Sequence, residues 1–470
     1  MDKANIKKIL LDIRFWLVFF FLIRFIGITN APLEIGHNWR QSLTNMIARN
    51  FLETGGDLFH PIIDMAGNGT GIIGSEFPIF NYLIYLVSLV FGYEHWYGRL
   101  INLIVSSLGI FYFYKLAKNI FNERLAFSAA IVLATSIWFS FSRKIMPDTF
   151  SVSLVLIALY CAYKFISKGQ VVMLLLFFLL SCLGLLSKIP ALSILSVIGV
   201  LLFVKEISNT RKLVLLVTAF VSFLVASGWY FYWVPQLIEN YKYQLYFPKG
   251  ILEGLREIAP LIPDLLKRFY FSSLHSYVGF VAFLAGLYFV IKSQRKILQL
   301  ALLIVTAVFA VFVIKTGEVF PLHNYYIIPF TPVMALVAGY FIARIPSLFQ
   351  YALLLVIGIE GIANQQHDFF IKESLRYKLE LESIIDPIIE KEELIVINGG
   401  SSPQDIYFSN RKGWTLSSDS IASKDLLDSL SRGGAKYLIL DRHKSTIEFS
   451  RYPEIFKNDN YIVQRLMIQE

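Results

Sequence analysis

Charge is what this chain most lacks. Asp, Glu, Lys and Arg make up 16% of its 470 residues, where an ordinary soluble domain carries about 25%. That shortage excludes a water-soluble globular protein. Cysteine is nearly absent too: Cys161 and Cys182 both sit inside apolar runs, which excludes a disulfide framework and a cysteine metal centre. There is no Asp-x-Asp pair and no His/Cys cluster, so no metal ligand set and no cofactor is read from the sequence, which leaves metal dependence open. The chain has no tandem repeat of fixed period and no low-complexity tract. Its net charge of +9 comes without a basic helix or a nucleic-acid motif. Nucleic acid is therefore not an expected partner.

What the chain has in abundance is apolar length. Hydrophobic residues are 56% of the sequence and the mean hydropathy is +0.59. A helical bilayer span needs roughly 17–25 apolar residues. Such stretches lie near 10–29, 97–115, 124–143, 148–166, 170–187, 189–205, 213–235, 273–291, 297–314, 325–343 and 348–364. The reading is thus an α-helical polytopic membrane protein with about eleven spans. Lys3, Lys7 and Lys8 followed by Phe15–Ile23 resemble a signal peptide in outline. The cleavage pattern is poor and more spans follow, so an uncleaved first helix is expected.

Basic residues set the orientation. With the N-terminus inside, the inside segments 1–10, 115–124, 164–168, 205–212, 292–296 and Arg344 hold fifteen Lys or Arg, and the short outside turns hold only Arg143, Lys144, Lys188 and Lys315. This is the positive-inside asymmetry. The shorter apolar stretch Pro78–Gly92 would reverse every later loop if it crossed, so it is expected to lie in or dip into the interface. The C-terminal part is then outside.

From Asn364 onward the composition turns polar. Residues 1–364 read as the membrane domain, with a long first external loop over 30–96. Residues 365–470 read as a small α/β domain outside the membrane. Its expected strands are Leu394–Ile397, Tyr437–Leu440 and Tyr461–Val463. Leu375–Ile389 and Lys424–Leu430 have helical periodicity. Gly399-Gly400-Ser401-Ser402-Pro403 lacks the lysine of a phosphate loop and reads as a turn.

The outside face gathers the chemistry. A membrane protein places ionisable groups near its spans where they meet water or a polar substrate. The first loop carries Glu34, His37, Trp39, Arg40, Arg49, Asp57, His60, Asp64 and Glu76. Asp148 follows Pro147, with Arg143 and Lys144 just before it. Lys188 precedes Ile189-Pro190, and His323-Asn324-Tyr325-Tyr326 opens the tenth expected span. Each has a plain structural explanation. Asp148 suits a helix N-terminus, Arg24, Arg143 and Lys188 suit snorkelling, and Trp39, Tyr325 and Tyr326 suit an aromatic belt. Together they suit group transfer from a lipid phosphate. A carboxylate activates an acceptor, Arg40, Arg143 or Lys188 holds phosphate, and aromatic faces receive a sugar.

The ordered series His37-Asn38-Trp39-Arg40-Gln41, Glu76-Phe77-Pro78, Trp96-Tyr97-Gly98-Arg99, Met146-Pro147-Asp148-Thr149-Phe150, Leu186-Ser187-Lys188-Ile189-Pro190 and His323-Asn324-Tyr325-Tyr326 resembles the GT-C superfamily. Within it the likeness is to bacterial members of glycosyltransferase family 39, related to protein O-mannosyltransferases and to aminoarabinose transferases of lipid A. The resemblance implies an inverting transferase of a bacterial inner membrane. It implies a polyprenyl-phosphate sugar as donor and an extracytoplasmic glycan, lipid or protein as acceptor. One position departs. Relatives read Trp-Arg-Gln-Ala-Asp-Thr in the first loop, with the Asp as expected base, and this chain has Leu43 there. Glu76 and Asp148 become the favoured catalytic carboxylates, with Glu34 kept for its closeness to the missing Asp. His37, Trp39, Arg40, Arg143, Lys188, His323 and Tyr325 are the expected substrate-binding residues. The alternative is a homologue that binds or moves a lipid-linked sugar without turning it over.

Overall fold

A computed structural model describes residues 10–245, 248–444 and 452–466. Lys3, Lys7 and Lys8 lie outside the described residues. The chain forms two compact units. The helical unit is Met1–Ile28, Gly98–Tyr232 and Tyr246–Phe369, and the second unit is Thr29–Tyr97, Trp233–Leu245 and Phe370–Glu470. The long first loop thus belongs to the same compact unit as the C-terminal residues.

Among the described residues, five helices are long and apolar enough to cross a bilayer: Tyr97–Ile120, Pro147–Lys168, Asn209–Tyr241, Lys296–Thr316 and Asn324–Ile342. A sixth is possible from Ile251–Ser272 and Tyr277–Lys292, which bend by 97° at their junction. Glu360 caps the second of these, accepting hydrogen bonds from the Tyr277 and Val278 amides at 2.9 and 3.2 Å. Helix Lys296–Thr316 leaves most of its apolar surface uncovered, with Leu303 65% exposed. A face of that size requires lipid rather than water, and the protein is an integral membrane protein.

The expected count of eleven spans is not reproduced among the described residues, because several apolar stretches are broken. The stretch at 124–143 is helical only over Glu123–Thr135, stops at Ser136 and resumes as Trp138–Phe141. Val171–Ser187 and Ser347–Ala363 have 17 residues each. The run after Lys188 starts at Pro190 and continues largely as 3-10 turns to Phe203. Proline removes an amide donor, and 3-10 geometry is poor over long runs, which is why that run is not one continuous α-helix.

Helices meet closely where side chains are small. A Cβ on Gly184 would lie 2.8 Å from Val155, and one on Gly286 would lie 1.9 Å from the Val337 carbonyl oxygen. Such close approach is how helices associate without a hydrophobic drive in lipid. Arg24, expected to snorkel, does not. It is fully buried, donating to Ser142 Oγ at 2.6 Å and to Ser107 Oγ at 3.2 Å.

The second unit holds a five-stranded sheet in the order β2-β1-β3-β5-β4. Strands β1 (Leu394–Ile397), β2 (Gly413–Thr415) and β3 (Ala435–Asp441) are parallel, and β4 (Glu454–Lys457) and β5 (Tyr461–Arg465) complete it antiparallel. The three strands read from sequence are present. β2 and β4 were not legible, β2 being only 3 residues long and β4 being largely exposed, with charged residues at both ends and no apolar run. Leu375–Ile389, expected as one helix, is 3-10 over Glu373–Glu380 and α only over Leu381–Ile385. Helix Asn38–Thr54 of the first loop packs on this domain through Leu43, Met46, Ile47 and Phe51, in one core with Ile395, Ile406 and Tyr407. Pro78–Gly92 folds as helix Ile79–Phe91, 13 residues long. At 1.5 Å per residue that is about 20 Å, short of the roughly 30 Å hydrocarbon core.

Candidate active site

In the helical unit the site grows from one buried asparagine. Asn102 lies in the first turns of helix Tyr97–Ile120 and is fully buried. Its Nδ2 reaches the carbonyls of Phe141, Lys144 and Met146 at 3.0, 2.9 and 3.2 Å. Its Oδ1 accepts from Ser106 Oγ at 2.8 Å and from Thr149 Oγ1 at 3.0 Å. These bonds hold the turn that leads into helix Pro147–Lys168. Pro147 opens that helix and Asp148 lies in its first turn, where proline loses no helical bond and a carboxylate complements the dipole.

Lys188 reaches Asp148 from the next hairpin. Helix Val171–Ser187 ends at Lys188, whose backbone is extended, and Pro190 forces the following turn. Ser151 Oγ anchors that end by donating to the Gly184 carbonyl at 2.7 Å. Lys188 Nζ lies 3.8 Å from Asp148 Oδ1 and 6.0 Å from the Tyr325 ring centre. Asp148 Oδ2 is buried and has no hydrogen-bond partner among the described residues. Asp148, Lys188, Pro190, Phe312, Tyr325 and Tyr326 line a small cavity of about 10 Å³, which is room for roughly one water. The Tyr325 and Tyr326 rings are 4.7 Å apart, and His323 stacks beside Tyr325 at 5.2 Å.

One expected phosphate holder, Arg143, lies elsewhere in this unit with its neighbour Lys144. Arg143 is buried with its guanidinium 4.2 Å from the Phe369 ring centre. Lys144 Nζ is 3.5 Å from Asp368 Oδ2. Neither lines the Asp148 cavity. The turn that carries them faces inward because Asn102 binds its carbonyls, and snorkelling is therefore ruled out for Arg143.

The second unit has its own cluster. Arg40, on helix Asn38–Thr54, forms an ion pair with Glu76. Both side chains are mostly buried. The Trp39 indole donates to the Ser401 carbonyl at 2.8 Å, so the turn after β1 touches the first loop. His37 is left-handed at φ 59° and stands at the helix start. Glu34 is fully buried, and its backbone bridges to Ile371. Arg49 and Asp64 pair at 3.2 Å and Asn50 donates to Asp64 at 2.9 Å. These three tie the loop together. Asp57 is surface-exposed. Partial burial works to raise its carboxyl pKa, but the hydrogen bond and charge of His60 together with hydrogen bonds from the Phe59 and His60 amides outweigh this and hold it below the ordinary carboxylate range.

Leu43 occupies the position of the expected Asp, and it is fully buried in the apolar core of the second unit. Asn102 was not singled out in the sequence. Its one signal was a primary amide inside an apolar run, which is costly unless satisfied. Among the described residues, no group of three or more His, Cys, Asp or Glu is placed to hold a metal ion.

Residues 75–233, which include Glu76, Asn102, Asp148 and Lys188, match the family model of dolichyl-phosphate-mannose-protein mannosyltransferase. No curated protein matches the chain by sequence. Among solved structures, ArnT from Cupriavidus metallidurans is similar both in the apo state and bound to undecaprenyl phosphate. Each is 12% identical with a TM-score of 0.57, over 96% of this chain and 98% of that one. The oligosaccharyltransferase of Archaeoglobus fulgidus, in its apo form, is also similar, at 12% identity and a TM-score of 0.58, over 91% of this chain and 70% of that one. The chain therefore shares its fold with ArnT and with the archaeal oligosaccharyltransferase, and its residues 75–233 match the family model of dolichyl-phosphate-mannose-protein mannosyltransferase.

Proposed function

We propose that the protein is a membrane glycosyltransferase that moves a sugar from a polyprenyl-phosphate donor to an acceptor outside the membrane. The observation that carries this reading is the Asp148–Lys188 pair, lining a cavity with Asp148 Oδ2 unused. The ArnT structure with bound undecaprenyl phosphate supports a lipid-phosphate ligand for this fold.

In this reading the acceptor hydroxyl or amine hydrogen-bonds to Asp148. Its lone pair attacks the anomeric carbon while the bond from that carbon to the phosphate oxygen breaks. The acceptor proton passes to Asp148, and the polyprenyl phosphate leaves with the electron pair. Lys188 stands where negative charge grows on the leaving phosphate. Two unit charges 4 Å apart attract by about 4 kcal/mol at an effective dielectric near 20, against about 1 kcal/mol in water. A fixed lysine in a dry site is therefore a strong contributor. Attack opposite the leaving group inverts the anomeric centre. The donor substrate carries the reactive bond, and the reading needs no cofactor.

A cavity the size of one water does not admit a sugar. Donor entry in this reading displaces the segment Asn324–Phe330, which carries Tyr325 and Tyr326 and is wound as a 3-10 helix around Pro329. Weak 3-10 bonding makes that segment the soft wall. In the charge-derived orientation, the N-terminus is cytoplasmic and the second unit is extracytoplasmic, and the family resemblance makes the membrane a bacterial inner membrane.

The test is turnover of a panel of polyprenyl-phosphate sugars by the purified protein in lipid nanodiscs. Release or transfer from one donor, lost in Asp148→Asn, supports the reading and names the donor. Binding of a donor without turnover on any of the panel moves the assignment to a non-catalytic lipid-linked-sugar binder, a reading that Leu43 favours.

A further inference from the structure

A second cavity, of about 490 Å³, lies at the other end of the helical unit. Its walls come from the start of helix Ile13–Arg24, the last turns of helix Tyr97–Ile120 and the start of helix Glu123–Thr135. Asn102, which supports the Asp148 turn, is thirteen residues before Lys115 on the same helix. At 1.5 Å per residue that is about 20 Å along the span. The cavity therefore has no part in the Asp148 site.

Its charges are unequally satisfied. Asp12 pairs with Arg14 at 2.5 Å, and Glu123 pairs with Lys118 at 2.7 Å while accepting from the Tyr114 hydroxyl at 2.7 Å. Both carboxylates are thus engaged. Lys115 has no carboxylate partner among the described residues. Its ammonium lies instead over aromatic rings, 4.7 Å from Phe111, 5.7 Å from Tyr112 and 5.8 Å from Tyr160. Such ring contacts are weak beside an ion pair or a charge-assisted hydrogen bond. Leu11, Ile13 and Phe111 give the cavity apolar wall, and its volume lies within the roughly 300–1,000 Å³ of ligand sites. A half-buried, unneutralised cation at the end of a span, beside apolar surface, fits one kind of ligand. Basic pockets between spans receive the phosphate of anionic lipids, whose acyl chains stay against the helices.

We infer that this cavity is a binding site for the phosphodiester headgroup of an anionic membrane lipid, with Lys115 as its principal cation and Arg14 and Lys118 at its rim. In the charge-derived orientation it opens to the cytoplasmic leaflet.

The experiment is native mass spectrometry of the full chain in detergent, titrated with phosphatidylglycerol or with phosphatidylcholine of the same acyl chains. Wild-type protein should retain phosphatidylglycerol in preference, and Lys115→Gln should weaken that retention by about tenfold or more, the loss expected of one charge-assisted hydrogen bond. Lys115→Arg should retain it. Equal retention of the two lipids by wild-type protein overturns the inference without any variant. So does undiminished phosphatidylglycerol binding by Lys115→Gln. Displacement of phosphatidylglycerol by millimolar inorganic phosphate also overturns it, by assigning the cavity to a free anion.

Discussion

The two units each hold a mostly buried carboxylate beside a cation, and the pairs differ in what they leave unused. Glu76 and Arg40 are joined directly, and a guanidinium can engage both oxygens of a carboxylate. Asp148 and Lys188 stand 3.8 Å apart, with one carboxylate oxygen unpartnered and a cavity between the side chains and Tyr325. A satisfied pair fixes geometry. An unsatisfied one is poised for chemistry, because a buried polar atom without a partner persists only where something else requires it. In the proposed reading this difference makes Asp148, rather than Glu76, the residue assigned as base, a choice that the segment resemblance alone left open.

The sharpest way to break this comparison is to neutralise each carboxylate in turn. Asp148→Asn should lower kcat by about 10²–10⁴, the range for loss of a general base, with donor binding retained. Glu76→Gln should lower it far less, and equal losses would erase the distinction between the pairs. Steady-state kinetics on the donor identified in nanodiscs decides between these outcomes.

Leu43→Asp comes next in size. If the missing Asp alone limited this chain, the change would raise turnover. The side chain is fully buried among apolar neighbours, so a carboxylate there should instead destabilise the protein by about 3 kcal/mol or more. A lowered midpoint of thermal unfolding without a gain in rate is the expected result. A gain in rate would make the first loop, rather than Asp148, the source of the base.

A smaller effect sharpens the meaning of the Arg40–Glu76 pair. Removing one partner leaves the other charge buried, so Glu76→Gln and Arg40→Met should each cost more stability than the double variant predicts by addition. Additive losses in chemical denaturation would mean that the pair is not coupled.

The smallest expected effect is in the C-terminal sheet. Asp405 is fully buried between Lys378 and Lys444. Burial alone would raise its pKa, but the two ammonium groups outweigh it and hold its carboxyl below the ordinary range. A group depressed on folding contributes stability that is present above its unfolded pKa of about 4 and lost as pH falls through the folded value. The protection of β1 amides, relative to their intrinsic exchange rates, should therefore fall below about pH 4 and be constant above about pH 5. Asp405→Asn should abolish that acid dependence.

Much of the architecture was legible because it depends on composition over long windows. The shortage of charge and the long apolar runs specify a membrane protein, and short continuous apolar runs specify the strands of the C-terminal sheet. Asp148 and Lys188 were legible because each lies close to a proline at a span end, and Tyr325 because it opens an expected span. The buried turn holding Arg143 was not, since an arginine near an expected span end reads the same whether it snorkels or faces inward. Asn102 decides that case by binding three carbonyls from 39, 42 and 44 residues away.

The sequence by itself determined the membrane character, the polar C-terminal region and the identity of the ionisable groups near the spans, because each follows from local composition and period. Only the tertiary structure decided which cations meet which carboxylates. That choice put Lys188 rather than Arg143 beside Asp148, closed Arg40 onto Glu76 and buried Leu43. The physical reason is that pairing is set by contacts between segments far apart in the chain, through the buried hydrogen bonds and close helix approaches that fix them, and no local pattern records those contacts.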